Sequence, residues 1–378
     1  MGKSLYSQPQ PLSSQPPIDV PQGHISRLAS LCREDARPVS VSVCMICYNH
    51  GKYLDEAIRG VLMQKADFPV NVVIIDNAST DDSAEIIMRY ASVNPNITPI
   101  IQKKNLNQAG KDTTLFNLHK AVKDMMHYVL PYLTGKYVAY CEGDDFWIDP
   151  DKLRLQAQYL ESNPDCPGVY SNTLPVNKFS EYDESTRLEC YAKTGEGDYP
   201  REKLLMGVRH QFASLMMRNF YTFMTQDELD FFSGVKSNGD EKILAMLLML
   251  GRVHYFAEEL AAHRRVVDGG GSWSTAIART SRYNKYRMGF IRTLEIVRMI
   301  EYFKGEEYRY KYFFVLRSQA ESLMIYNRNL LKDVGLDPGL HKIPLREYLA
   351  FALFAASHPI KAIKFCLNAF DQRRLQQS

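Results

Sequence analysis

Three apolar runs, VSVCMICYN (41–49), NVVIIDN (71–77) and KYVAYC (136–141), each stop at a polar turn, and segments of helical spacing lie between them. This alternation constrains the fold more than any other feature of the chain. Short runs rich in β-branched residues read as buried strands. Strands separated by helices build βαβ units on a mostly parallel sheet covered on both faces. Leu54, Ala57, Ile58, Val61 and Leu62 follow helical spacing after the first run. Asp82 with Glu85 resembles a capping box opening SAEIIMRYA. ITPIIQ (97–102) reads as a third strand and LHKAVKDMMHYVL (118–130) as a third helix. Asp149 caps a further helix with Pro150 in its first position. Ligands collect at the carboxyl ends of strands in such sheets, so the loops after Tyr48, Asp76 and Cys141 are expected to converge.

Residues 1–37, rich in Pro, Gln and Ser, read as a mobile extension. The α/β domain spans 38–275, and a helical region rich in Tyr and Arg spans 276–378. A hydrophobic content of 45% with 24% charged residues is that of a globular protein, which excludes a disordered chain. The net charge of +3 conceals an asymmetry: from Thr275 onward 18 Lys and Arg face 9 Asp and Glu, a net of +9 that leaves −6 for the rest. An acidic front suits a metal or substrate site, and a basic back suits an anionic surface. Seven scattered cysteines predict a reducing compartment. Cys44 and Cys47 spell C-x-x-C, but positions i and i+3 of a strand face opposite sides, which argues against a redox or zinc pair. No charged-then-apolar leader opens the chain, and no window offers the ~20 apolar residues of a spanning helix. A cytoplasmic location follows as the expectation.

The stretch YCEGDDFW (140–147) packs three carboxylates behind an apolar strand, where they repel one another and are costly to desolvate. They could cap the next helix, pair with basic residues, or hold a divalent cation with a phosphate ligand. Capping accounts for Asp149 but not for Glu142, Asp144 and Asp145. Hard cations such as Mg²⁺ and Mn²⁺ prefer carboxylate oxygens and leave positions open for substrate phosphates. SNGDEKILAMLLML (237–250) places Asp240 and Glu241 at the start of a helix apolar on every side, which predicts burial.

Five pieces in order, SVCMICYNHGKYLDEAIRGVLMQ, VNVVIIDNASTDDS, KNLNQAGK, GKYVAYCEGDDFWIDPDKL and GDEKIL before GGGSWS, resemble the family 2 glycosyltransferases. The resemblance covers 39–275 and is nearest to soluble bacterial enzymes that build surface polysaccharides. It implies a GT-A fold: a Rossmann-like, mixed, mainly parallel sheet flanked by helices. It also implies transfer of a sugar, with inversion, from a nucleotide donor to a hydroxyl of a glycan or lipid-linked acceptor, assisted by Mn²⁺ or Mg²⁺, with no nucleic-acid partner.

Carried over by residue, Cys47, Tyr48 and Asn49 would lie against the base, and Asp76 would accept from a uracil or thymine imide, favouring UDP- or dTDP-sugars. Asn77 stands where many relatives have a second Asp. Lys104 and Gln108 match further nucleotide contacts. Glu142, Gly143 and Asp144 occupy the D-x-D position, with Asp144 the main metal ligand, Glu142 on ribose or metal, and Asp145 in support. Asp240 fits the catalytic base, with Glu241 as fallback. His263 precedes the place of the relatives' metal-ligating histidine; it or Asp268 is the available substitute. Arg264 and Arg265 are candidates to clamp diphosphate. Trp147 and Trp273 read as packing residues, and His210 as a core, loop or acceptor-pocket residue.

The rival readings are a nucleotidyltransferase, for which CYNHGKY is a poor Gly-rich loop, and a non-catalytic sugar-nucleotide-binding scaffold subunit. Near the C-terminus, Ile360, Ile363, Leu367 and Phe370 share a helical face opposite Lys361, Lys364 and Asn368. Such a helix suits peripheral contact with an anionic membrane, at the inner face of the plasma membrane; packing on the domain or a partner chain suits it equally.

Overall fold

The computed structural model describes residues 24–105, 128–186, 196–198, 211–235, 237–265, and, from the segment 292–303, residues 292, 295, 296 and 298–303. The helices expected over 118–130 and 348–370 lie largely or wholly outside the described residues, as do Gln108, His210, Asp268 and Trp273.

The strands are β1 (Val41–Cys47), β2 (Val70–Asp76), β3 (Ile97–Ile101), β4 (Tyr137–Tyr140), β5 (Phe146–Trp147), β6 (Gly168–Val176), β7 (Gly197–Asp198), β8 (Met216–Arg218) and β9 (Val253–Arg264). They form one sheet in the order β3-β2-β1-β4-β8-β6-β9-β5, with β7 added to β9. The expected parallel character holds for β3, β2, β1 and β4, and for β6 on β9. The ladders through β8, β5 and β7 are antiparallel. The parallel half is the one legible as βαβ units.

Alternation along β1 builds the two faces. Val41, Val43, Met45 and Cys47 pack in one core with Leu54 and Ile58 of α2 (Gly51–Leu62), Ile87 of α3 (Ser83–Val93) and Leu153 of α4 (Lys152–Ser162). Cys44 faces the opposite core with Val73, Val138 and Tyr140. The C-x-x-C pair is therefore split across the sheet, and both thiols are pushed up to about 12 by burial. The second core is closed by α5 (Gln226–Gly234) and α6 (Gly239–Leu250), whose residues Lys242 to Leu250 are all buried. That matches the all-round apolar pattern.

Described structure also lies within both flanking regions. Inside the proposed extension, His24–Arg33 forms a helix, α1, which buries Ile25, Leu28 and Cys32. It is pinned by Glu228, whose oxygens receive His24 Nδ1 and Arg27 Nη2 at 2.5 Å each. Only three apolar side chains anchor this helix, so the Pro- and Ser-rich stretch before it masked the signal. Ile296, Met299, Ile300 and Phe303, from the presumed separate C-terminal region, pack in the same core as α1 and α6. Tyr302 stacks on Phe231 at 3.8 Å. Among the described residues no helix is long and apolar enough to cross a membrane.

Two expected caps also differ. Neither Asp82 nor Asp151, which precedes α4, makes a side-chain cap. Asp81 instead accepts from Ser83 N at 3.1 Å and Gly51 N at 2.9 Å, and Asp149 accepts from Asp151 N at 2.7 Å.

Candidate active site

The ends of β1, β2 and β4 lie side by side, because Cys47 pairs with Asp76 and Cys44 with Tyr140 in register. Their loops are joined by hydrogen bonds. Asn49 donates its N–H to Ser79 Oγ at 2.8 Å and accepts from Thr80 N at 2.8 Å; His50 N donates to Ser83 Oγ at 3.0 Å. Gly143 N reaches back to Ile46 O at 2.9 Å, which lays the acidic loop against the first loop. A Cβ on Gly143 would lie 2.9 Å from His50 Nδ1 and 3.4 Å from Cys47 Cβ, so this approach needs glycine.

Asp76 is buried and turned onto its own loop, accepting from Ser79 N at 3.0 Å and from Ser79 Oγ. Its two oxygens retain one lone pair each for a base. Cys47, expected at the base, is wholly buried, so its side chain serves the core and only Tyr48 and Asn49 of the trio reach the rim. Lys104 is exposed just beyond β3.

The acids behind β4 divide. Asp145 turns inward, buried, accepting from Arg264 N at 2.8 Å and Gln211 Nε2 at 3.0 Å. Burial, then the neighbouring Asp144 charge, raises its carboxyl to about 7 despite those bonds. Glu142 and Asp144 are half-buried in the loop. Burial raises Glu142 well above the carboxylate range, followed by the charges of Asp145, Asp144 and Asp240. That last contribution brings α6 into the site: Asp240, remote in sequence, shares the electrostatic field of the acidic loop. Its neighbour Glu241 accepts from Ser237 Oγ at 2.9 Å and faces Arg292 at 3.9 Å.

Among the described residues no three His, Cys, Asp or Glu side chains are arranged to hold a metal ion by themselves. The donor chemistry nevertheless fits a hard divalent cation, because Glu142 and Asp144 offer crowded carboxylate oxygens whose mutual repulsion a cation relieves. Asp145 is held inward by one hydrogen bond on each oxygen. His263 is buried on β9 beside Arg264. Successive strand residues face opposite sides, and its neighbour Arg264 is the one that bonds the acidic loop.

Arg264, expected to clamp diphosphate, is buried instead, with its guanidinium bonded to Asp144 O, Ser180 Oγ and Glu56 Oε2. Arg265 donates its N–H to Val176 O at 3.1 Å, while its buried Nε has no partner among the described residues. Sequence reasoning missed His50, whose Nε2 lies 3.7 Å from Asp144 Oδ2. Its place directly after Asn49 was the available signal. Glu56, Ser180 and Gln211 gave none, since each acts through contacts distant in sequence. Trp147 is a packing residue as expected, its Nε1 donating to Ala213 O at 2.8 Å.

A mixed sheet with three joined strand-end loops and an acidic turn after the fourth strand is the GT-A glycosyltransferase fold. The crystal structure of S. aureus TarS in complex with UDP-GlcNAc matches it with a TM-score of 0.50 at 16% identity, covering 78% of this chain and 76% of that one. Residues 42–113 match the model of glycosyl transferase family 2. An uncharacterized protein of Mycobacterium tuberculosis is 39% identical over 126 residues, 33% of this chain and 32% of its own length. The minor teichoic acid biosynthesis protein GgaB of Bacillus subtilis is 23% identical over 267 residues, 67% of this chain and 26% of its own length. The chain thus spans about a third or less of these two relatives.

Proposed function

We propose that the chain is an inverting glycosyltransferase, moving a sugar from a nucleoside diphosphate donor to a hydroxyl of a glycan or lipid-linked acceptor in surface polysaccharide synthesis. The observation that carries this reading is the acidic turn of Glu142 and Asp144, laid against the joined loops of β1 and β2 by the bond from Gly143 N to Ile46 O. The UDP-GlcNAc bound by TarS and the teichoic acid role in the name of GgaB support a sugar-nucleotide donor and a surface-polymer acceptor. Asp76 favours a UDP or dTDP donor.

In this reading the rim of Tyr48, Asn49 and Asp76 receives the base, and the acidic loop faces the diphosphate. Asp144 and Glu142 would hold Mn²⁺ or Mg²⁺, which supplies neutralising charge at the departing diphosphate. Asp240 takes the proton from the acceptor hydroxyl as its oxygen bonds to the anomeric carbon. The bond from that carbon to the diphosphate oxygen breaks on the opposite face, which inverts the centre. Glu241, already engaged by Ser237 and Arg292, helps hold the first turn of α6 rather than serving as the base.

The test is a thermal-shift panel of nucleotide sugars with and without Mn²⁺, followed by NMR of the anomeric product. Ligand binding to the native state raises apparent stability, so the true donor should stand out. Stabilisation by no nucleotide sugar would sink the reading. Release of pyrophosphate would favour nucleotidyl transfer, and donor binding with neither transfer nor hydrolysis would favour a scaffold subunit.

A further inference from the structure

We propose that Arg264 is the positioning residue of the acidic loop, working as one clasp with Glu56 and Ser180. Its guanidinium donates Nε to Asp144 O at 2.8 Å, Nη1 to Ser180 Oγ at 2.8 Å and Nη2 to Glu56 Oε2 at 2.6 Å. Ser180 Oγ in turn donates to Glu56 Oε2 at 2.7 Å. The Arg264 backbone N–H holds Asp145 Oδ1 at 2.8 Å. The side chain is 1% exposed and lies against the rings of Tyr53 at 4.4 Å and Phe146 at 5.2 Å.

The clasp joins three parts of the chain that sequence alone leaves unrelated: α2 through Glu56, the turn after β6 through Ser180, and the acidic loop through Asp144 and Asp145. Every nitrogen of the fork has a partner within the protein, so Arg264 acts on the donor through Asp144 and not by touching phosphate. Fixing the Asp144 carbonyl from behind sets where its carboxylate stands, while capture of Asp145 decides which acid is withheld. Ser180 has φ 65°, a conformation costly for a non-glycine residue, and its hydroxyl is bonded on both sides within the clasp. Lysine cannot replace this fork, because a single ammonium lacks the planar set of donors.

The proposal rests on the nucleotide-donor reading above, and its test separates the two. Affinities of UDP, dTDP and GDP for the purified full chain would be measured by calorimetry with and without MnCl₂, for wild type, Arg264→Lys and Glu56→Gln. Hydrogen exchange would be followed in peptides covering 141–148 and 76–83. Loss of a partner behind a metal ligand typically costs about 10–100-fold in metal affinity. Arg264→Lys should therefore lose about tenfold of the Mn²⁺-dependent gain, with metal-free affinity within about twofold of wild type. Exchange should rise in 141–148 and not in 76–83. Glu56→Gln should shift both readouts the same way by a smaller factor, and it carries the test if Arg264→Lys fails to fold. A retained Mn²⁺ gain in a folded variant would overturn the clasp, as would equal loss of both affinities with exchange raised throughout. Wild type binding a nucleotide with no Mn²⁺ gain would overturn the clasp alone. Wild type binding none of the three would overturn the donor reading itself.

Discussion

Lys242 lies two residues beyond Asp240 on α6, fully buried, its Nζ donating to Phe232 O at 3.2 Å and lying 4.7 Å from the centre of the Phe232 ring. Burial pulls its ammonium from 10.5 down to about 7. At about 1.4 kcal/mol per pH unit, that depression corresponds to ~4–5 kcal/mol held against the charged form. Lys242→Met keeps the length and removes this cost. It leaves the Phe232 carbonyl without its donor, a loss of ~1–3 kcal/mol. The variant should therefore be more stable than wild type by ~1–4 kcal/mol near pH 7. The sign with pH is definite. An unfolded lysine keeps its proton to about pH 10, whereas the folded one releases it near 7, so between those values the unfolded state binds more protons and wild-type stability gains with pH. The advantage of Lys242→Met should be greatest at and below pH 7 and fade toward pH 10. Urea unfolding of both proteins at about pH 6.5, 8 and 9.5 checks this, and taking the difference cancels the titration of buried thiols and tyrosines common to both. A variant less stable at the lowest pH, or a difference constant across the series, would show that burial does not hold Lys242 against its charge.

Asp240→Asn should lower transfer by about 10²–10⁴-fold while leaving donor binding near wild type, measured by product formation beside calorimetry. Gly143→Ala must push His50 and the acidic loop apart, so it should weaken Mn²⁺-dependent nucleotide binding and cost ~1–3 kcal/mol in stability. Glu228→Gln should release α1, because Glu228 bonds His24 and Arg27 and also receives Thr225 N at 2.8 Å. A loss of ~2–3 kcal/mol in urea unfolding is expected, with faster proteolysis before residue 34. The Glu228 carboxyl is held below its usual range by Arg27 and His24 against the opposing effect of burial. Its stabilisation is therefore present at neutral pH and should disappear as acid protonates it.

The parallel half of the sheet was legible because β1, β2 and β4 are dense in Val, Ile and Ala and are cut by turn residues at regular intervals. Even the split of Cys44 from Cys47 followed from a period of two. The second half was not: β8 has three residues and β5 and β7 two each, too short for any periodicity to declare itself. The site divided along the same line. Asp76, Glu142 and Asp144 stand at strand ends, where local pattern announces them. The assignments of Cys47, Asp145, His263 and Arg264 turned on which way a side chain faces. For Asp145 and Arg264 that is decided by bonds spanning 66 to 208 residues of sequence. Lys152 makes the same point from within a helix. A polar residue in the first turn of α4 would pass as solvated, yet it is buried, bonded to Gln156 Oε1 at 2.7 Å and set over Trp147 at 4.3 Å.

Backbone strain follows the site with some economy. Among the described residues three non-glycine positions have positive φ: Asn49 at 56°, Ala78 at 58° and Ser180 at 65°. Asn49 belongs to the loop after β1, Ala78 to the loop after β2, and Ser180 to the clasp behind the acidic loop. Asparagine tolerates this region, but alanine and serine gain little from it and cost about 1 kcal/mol or more each. A chain free to relax would place glycine there. Strain confined to the three turns that border the carboxylates is what a site requires when its geometry is fixed before any ligand arrives. The unfavourable effect of Asp145, Asp144 and Asp240 on an ionised Glu142 would otherwise spread the acidic loop. The hydrogen bonds from Asn49 to Ser79, from Thr80 to Asn49 and from Arg264 to Asp144 oppose that spreading from both sides.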